Sequence, residues 1–162
     1  MDTSIIITVV ILTVFCIILY LLIISGKKKK ESEFLQNLFT LAEKNNCQIS
    51  EYERWNNSII GIDRKRNYLF FIRITNENET TQQINLTDIQ KVRVIESSRI
   101  VSIKESNSKV VDRIELEFSN INRNKPDTIV EFYNTAYDNL FLAGELVIAE
   151  KWGKIINDKI AE

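Results

Sequence analysis

The chain has 162 residues and a formal net charge of −1, from 21 lysines and arginines against 22 aspartates and glutamates. Four of the lysines stand in a single run, so the rest of the chain is mildly acidic and we expect no nucleic-acid partner, which would need a concentrated basic surface. The chain has no histidine, which removes the side chain best suited to proton transfer near neutral pH and the commonest metal ligand.

The N-terminal stretch of residues 5–24 contains no charged side chain. Twenty helical residues rise about 30 Å, which matches the hydrocarbon thickness of a bilayer. A cleaved signal peptide would have a basic leader and a shorter apolar core. A lipoprotein reading at Cys16 is disfavoured by Phe15, which stands where a small residue would be expected. The pattern therefore predicts a transmembrane anchor over residues 1–26.

Four consecutive lysines, Lys27, Lys28, Lys29 and Lys30, follow this stretch, whereas the residues before it include no lysine or arginine. Lysine and arginine are enriched on the cytoplasmic side of spanning helices. The run predicts a single-pass protein of the plasma (inner) membrane, with its N-terminus outside and its C-terminal domain cytoplasmic. The same lysines could contact anionic headgroups, but a simple topological role is the favoured interpretation.

The next segment, residues 31–45, has apolar residues at spacings of three and four, which predicts a helix of about three turns or more. With the lysine run it forms a predicted basic flank and amphipathic connecting helix over residues 27–46. Its apolar face could pack on the following domain, lie at a membrane interface or pair with a second copy. Packing on the domain is the expected outcome.

From residue 47 the apolar period changes to that of β-strands. The segment at residues 68–75 is the strongest strand, and Pro126 falls in a polar connection where it interrupts no strand. The final stretch, residues 137–160, returns to a helical period and carries Trp152 on its apolar face. The predicted strands cover residues 51–55, 59–63, 68–75, 80–85, 90–96, 99–104, 110–120 and 128–133.

Counted from Ile59, about seven antiparallel strands are followed by one amphipathic helix. This order, with residues 60–63 leading into a hairpin, residues 84–89 before a strand and a helix bearing Trp152, resembles the pleckstrin-homology (PH) superfold. The resemblance implies an α+β fold in which an antiparallel sandwich or partly open barrel over residues 47–162 is capped by a C-terminal helix. That fold hosts lipid, peptide and protein binding, so the resemblance implies a binding module without naming its ligand.

Catalytic machinery is not evident in the sequence. The chain has four glycines, which cannot build a glycine-rich phosphate loop, and Cys47 is the sole cysteine after the apolar stretch. The carboxylate pairs Glu51 with Glu53 and Glu115 with Glu117 are typical of solvated strand faces. We therefore expect no enzyme, no metal site and no cofactor.

Two functional hypotheses follow. The first is a membrane-anchored, non-catalytic scaffold that binds a protein partner or a second copy of itself. The alternative is a sensor of anionic lipid headgroups, because the resemblance places cations of a first hairpin and its second strand at headgroup phosphates, and arginine binds phosphate well. The cations that would form this site are Lys27, Lys28, Lys29, Lys30, Arg64, Lys65, Arg66 and Arg73.

Overall fold

The computed structural model describes residues 3–76, 78–103, 106–139 and 142–162. Within helices and strands, the side chains of residues 3–10, 21–31, 102, 103, 106 and 107 lie outside the description. The chain forms two compact units, Met1–Asn37 and Leu38–Glu162. The second unit contains all the strands and the C-terminal helix.

One long helix, α1, covers Thr3–Lys44, where the sequence predicted an anchor and a separate connecting helix. The helix ends at two asparagines. The side-chain amide of Asn45 donates to the carbonyl oxygen of Leu41 at 2.9 Å, and Asn46 adopts a left-handed conformation with φ 55°. Asparagine tolerates this conformation because its short polar side chain bonds locally, so the chain leaves the helix here.

The predicted membrane anchor is corrected by the structure. In the described part of the chain, no helix has both the length and the apolarity required for a membrane crossing. The transmembrane fold class, the single-pass topology and the plasma-membrane localisation with a cytoplasmic domain are withdrawn with the anchor.

In the described part of the chain, seven strands form two antiparallel sheets, which confirms the α+β class. They are not the seven predicted from Ile59, because residues 51–55 add a strand and the predicted strands 90–96 and 99–104 are one. Sheet A has the order β1-β2-β3-β4, and sheet B has the order β5-β6-β7. A short 3-10 turn at Leu86–Asp88 connects them. The strands are β1 (Glu51–Trp55), β2 (Ser58–Asp63), β3 (Tyr68–Thr75), β4 (Asn78–Asn85), β5 (Ile89–Ile103), β6 (Ser106–Asn120) and β7 (Thr128–Asn134).

Sheet A is buried on both faces at its centre, which explains why β2 and β3 read as nearly continuous apolar runs. Ile60, Ile62 and Phe71 on one face belong to the main core, shared with sheet B and the C-terminal helix. The opposite face includes Gly61, over which the end of α1 lies: a Cβ added to Gly61 would stand 2.9 Å from Leu38 Cδ2. Packing of this helix end on the domain was the expected outcome of the sequence pattern.

The C-terminal helix α2 covers Glu145–Ile160 and packs against β5, β6 and β7. Trp152 is fully buried in the core, and its indole Nε1 donates to the Glu53 carboxylate of β1 at 2.7 Å. The apolar periodicity of residues 137–160 therefore predicted the face that is buried, although the helix begins eight residues later than the predicted segment. The C-terminal helix of the predicted fold is confirmed.

Candidate functional site

The basic residues Arg64, Lys65 and Arg66 form the turn between β2 and β3, which is the second hairpin of the domain. The carboxylate of Asp63 accepts backbone hydrogen bonds from Lys65 at 2.9 Å and Arg66 at 3.0 Å, so it holds the turn together. Arg64 forms an ion pair with Glu51 at 2.9 Å, and the other two cations of the turn, Lys65 and Arg66, are exposed. This turn belongs to the hairpin that comes first when the strands are counted from Ile59, and another, which turns at Asn56 and Asn57, precedes it.

Arg73 is not part of this basic turn. It lies near the far end of β3, opposite Ser58, and is only 4% exposed. Its guanidinium donates to the backbone carbonyl of Glu131 and to the carboxylate of Asp138, each at 2.7 Å. The side chains of Lys27, Lys28, Lys29 and Lys30 lie outside the described residues. Headgroup contact therefore stays a prediction that no longer includes a converging Arg73.

The polar network around Arg73 joins the two sheets. Glu131 also receives the side-chain amide of Asn134 at 2.7 Å, and the Asp138 carboxylate accepts the backbone N–H of Asn134 at 2.8 Å. Every charged group in this network has an opposite charge or a hydrogen bond beside it, as buried charges require. The arrangement has a structural role: it fixes β7 against β3.

Two polar clefts open at opposite ends of the sandwich, of about 310 and 220 Å³. The larger is lined by Tyr68, Gln83 and Asn85 among others, and the smaller by Asn56, Asn57 and Asp138 with two neighbours. Neither lining pairs a nucleophile with a base, and among the described residues no group of three acidic, cysteine or histidine side chains could hold a metal ion. The expectation of a non-catalytic chain keeps its basis in the sequence.

Two buried titratable side chains lie outside these clefts. Burial raises the pKa of the Cys47 thiol, and the nearby Asp63 charge raises it further. Burial is also the main cause of the raised pKa of Tyr133, whose hydroxyl donates to the backbone carbonyl of Asn139 at 2.9 Å. Both groups are held in their neutral forms, so neither is prepared for nucleophilic chemistry.

The two longest strands of the described chain form a projecting ribbon. β5 and β6 each contain 15 residues, but β7 pairs with β6 only between Arg113 and Phe118. Beyond that point the two strands continue as a hairpin of residues 98–103 and 106–111, which we call the distal arm. The side chain of Ile100 on this arm is 74% exposed. An isolated two-stranded hairpin is marginally stable in water, so such an arm gains stability when another surface covers it.

Side chains occupy the edge of β7 and the start of the edge of β5. On β7, the carbonyl oxygens of Ile129, Glu131 and Phe132 accept hydrogen bonds from Gln82, Arg73 and Trp55 of sheet A. On β5, the side-chain amide of Asn157 in α2 binds both the N–H and the C=O of Val92. From residue 93 to residue 103, β5 pairs on one side only, with β6. These 11 residues are the free edge of β5, and a free edge is a template for adding another strand.

The sequence interpretation missed this arm because it divided β5 into two strands, at residues 90–96 and 99–104. The two predicted strands leave out Ser97 and Ser98, yet neither a glycine nor a proline is present there to turn the chain. The structure places the register shift on the partner strand, where Ser97 faces Arg113 and Ser98 faces Val111. The absence of a turn residue was the available signal for one continuous strand.

Comparison of the chain with models of known protein families, with curated proteins and with solved structures finds no match. The two sheets and the C-terminal helix are observations of this structure alone. The resemblance to the PH superfold stays a prediction, and the geometry of the domain must carry the functional argument.

Proposed function

We propose that this chain is a non-catalytic binding module that takes a protein partner along the free edge of β5, which continues into the distal arm. The observation that carries the proposal is an 11-residue strand edge, residues 93–103, whose outer backbone groups face no other strand of the described chain. Added strands bind through main-chain hydrogen bonds, and pockets for alternate side chains give them specificity.

The contrast with the other edges supports the choice of this surface. β1 has only five residues, and the edge of β7 is covered by three side-chain donors. β4 has eight residues, and β6 has seven, 106–112, before its pairing with β7 begins, so their free edges are shorter than the 11 residues of β5. Natural proteins block edges in these ways to prevent unwanted pairing. The edge that is left both long and uncovered is therefore the best candidate for a functional contact.

The chemistry of the arm fits a protein rather than a small ligand. Exposed Ile100 and half-buried Val101 and Val110 offer apolar contacts, and two cations of the arm are paired with carboxylates of β5 and β6. Arg99 lies 3.2 Å from Asp112, and Lys109 forms an ion pair with Glu96. A largely neutral surface with apolar side chains is typical of the centre of a protein interface. A binding role is also what the resemblance to the PH superfold implies.

The test is site-specific photo-crosslinking of the full chain in its native cells, with the crosslinker placed at position 100. A matched control carries it at position 121, because Ile121 is also strongly exposed, at 62%, but lies in the β6–β7 loop at the other end of sheet B. We expect a discrete adduct from position 100 that is lost when Ser98→Pro blocks the edge, and none from position 121. Equal labelling at both positions, or an adduct that survives Ser98→Pro, contradicts the proposal.

A further inference from the structure

The outward-facing backbone groups of β5 can be identified from one contact. Because both the N–H and the C=O of Val92 bind Asn157, they point away from β6. Backbone orientation alternates along a strand, so Val94, Glu96, Ser98 and Ile100 present their groups to the same free edge. The register shift at Ser97 and Ser98 inserts its extra residue, Asp112, in β6 and leaves this alternation in β5 intact.

We propose that the partner of the distal arm is a second copy of this chain, whose β5 pairs antiparallel with the first across a two-fold axis at Ser98. This inference rests on the proposed function and names its partner. The two copies would join their three-stranded sheets into one six-stranded sheet. Such an isologous contact uses the same surface twice and closes on itself.

The register of the two paired strands follows from the alternation of outward backbone groups along β5 and from the length of its free edge. Two identical edges can pair only where outward groups meet outward groups, so even-numbered residues of one copy must face even-numbered residues of the other. The free edge extends from residue 93 to residue 103, and its midpoint is Ser98. Centring the axis there gives every residue of the edge a partner. The Asn157 side chain already binds the backbone groups of Val92, so the paired region of the two strands ends before that residue.

This register is also free of charge conflict. It places Ile95 opposite Val101, Glu96 opposite Ile100 and Ser97 opposite Arg99. Moving the axis to Arg99 would set that arginine opposite its own copy, and moving it to Glu96 would set two glutamates together. Like charges directly opposite each other are destabilising, whereas pairs of β-branched residues are favourable.

The electrostatics of the arm allow close approach of two copies. Arg99 is paired with Asp112 and Glu96 with Lys109 inside each copy, so the edge carries equal numbers of cations and anions among these four residues. No partner of opposite charge is required. The exposed side chain of Ile100 would be covered beside Glu96 of the second copy, which removes an apolar surface from water.

Cysteine crosslinking of the full chain tests the register. In a Cys16→Ser background, Ser98→Cys places two thiols opposite each other in a hydrogen-bonded pair, with Cα atoms about 5.5 Å apart, which suits a disulfide. Ser97→Cys is the matched control, because Ser97 is equally exposed but faces Arg99 of the second copy. We expect at least tenfold more disulfide-linked dimer from Ser98→Cys under mild oxidation. Equal yields, or none from either variant, overturn the inference.

A second variant separates association from folding. The N–H of Ser98 points away from β6, so Ser98→Pro should leave the unfolding midpoint unchanged at protein concentrations where the wild type is a monomer, as proline is tolerated on an edge strand. In sedimentation it should convert a dimer to a monomer. Association through the exposed apolar residues 11–20 of α1 would instead be insensitive to Ser98→Pro and show no preference between positions 97 and 98.

The outcomes also separate this inference from the proposed function. If position 100 crosslinks to a different protein while Ser98→Cys gives no dimer, the second-copy inference is overturned and the binding role of the arm remains. If neither reaction occurs, both are overturned. A dimer of unchanged stability in the Ser98→Pro variant overturns the inference alone.

Discussion

The side-chain amide of Asn157 binds the backbone of Val92 at both of its polar groups. The Asn157 Nδ2 donates to the Val92 carbonyl oxygen at 2.8 Å, and its Oδ1 accepts the Val92 N–H at 2.9 Å. One side chain of α2 thus does what a neighbouring strand would do. It joins the helix to β5 and sets the start of the free edge.

Replacing Asn157 should therefore weaken the domain. Asn157→Leu leaves two part-buried backbone groups without partners, at a cost of about 1–3 kcal/mol for each unsatisfied group. We expect a clear fall in the urea midpoint. Asp158→Leu is the control on the exposed side of α2, where little change is expected. Equal midpoints for the two variants would mean that water replaces the amide.

Arg73 offers a stronger test of how the two sheets are held together. Arg73→Met removes the cation between Glu131 and Asp138, and breaking a buried charge network costs about 3–5 kcal/mol. Arg93→Met is the matched control, because Arg93 also pairs with a carboxylate, Glu117 at 2.7 Å, but is largely exposed. Exposed pairs contribute about 0–1 kcal/mol. The urea midpoint of Arg73→Met should fall well below that of Arg93→Met. Similar midpoints would contradict a large contribution of Arg73 to the free energy of unfolding.

The stability of the domain should depend on pH through Asp63. Burial alone would raise the pKa of this carboxyl, but backbone hydrogen bonds from Gln48, Arg66 and Lys65 and the charge of Arg66 outweigh burial and lower it. The folded pKa lies below 3.8, so the stabilisation is complete above that value and is lost as the pH falls through the folded pKa. Asp63→Asn should be less stable than the wild type at pH 7, and the difference should shrink in acid.

Unfolding midpoints measured from pH 7 to pH 2 check this sign. Glu162→Gln serves as the control, because hydrogen bonding and the charge of Lys159 also lower the pKa of Glu162, but at a fully exposed site. We expect no measurable stability difference for that variant at any pH. If the midpoints of Asp63→Asn and the wild type differ by the same amount at every pH, the ionised carboxylate of Asp63 is not the source of the stabilisation.

Two glycines should respond to alanine with opposite signs. At Gly61 a Cβ would stand 2.9 Å from Leu38 Cδ2 and 3.2 Å from Ile49 Cγ2, and such crowding costs about 1–3 kcal/mol. At Gly153 inside α2 the nearest contact, Val94 Cγ2, is an ordinary 3.5 Å. Glycine in a helix interior is about 1 kcal/mol less favourable than alanine. Thermal unfolding should show Gly61→Ala destabilised and Gly153→Ala stabilised; the same sign for both would refute the packing argument.

Much of the domain was predictable because its patterns are local. The alternation in residues 68–75 and the apolar stripe that includes Trp152 both lie within one element, and both strand and helix form where the sequence predicts them. The turn asparagines at positions 46, 56, 67 and 76 all adopt positive φ, as asparagine allows. The predictions that were wrong depended on contacts between elements far apart in the sequence. Arg73 was predicted as a surface cation because its partners, Glu131 and Asp138, are 58 and 65 residues away.

The anchor prediction failed for a different reason. It rested on hydropathy over residues 5–24, whereas no helix in the described chain meets the length and apolarity of a membrane crossing. The distal arm was missed because two strands that leave out Ser97 and Ser98 were predicted where the structure has one.

The hydrogen bond from Trp152 to Glu53 joins two residues that are 99 positions apart in the chain. Synthesis is vectorial, so β1 is complete about a hundred residues before the indole that binds it has been added. Until then Glu53 has neither Trp152 nor Lys151 beside it, and the core lacks its fully buried tryptophan. Nascent chains that stall before α2 would thus expose the interior of both sheets, and they would be natural clients for chaperones.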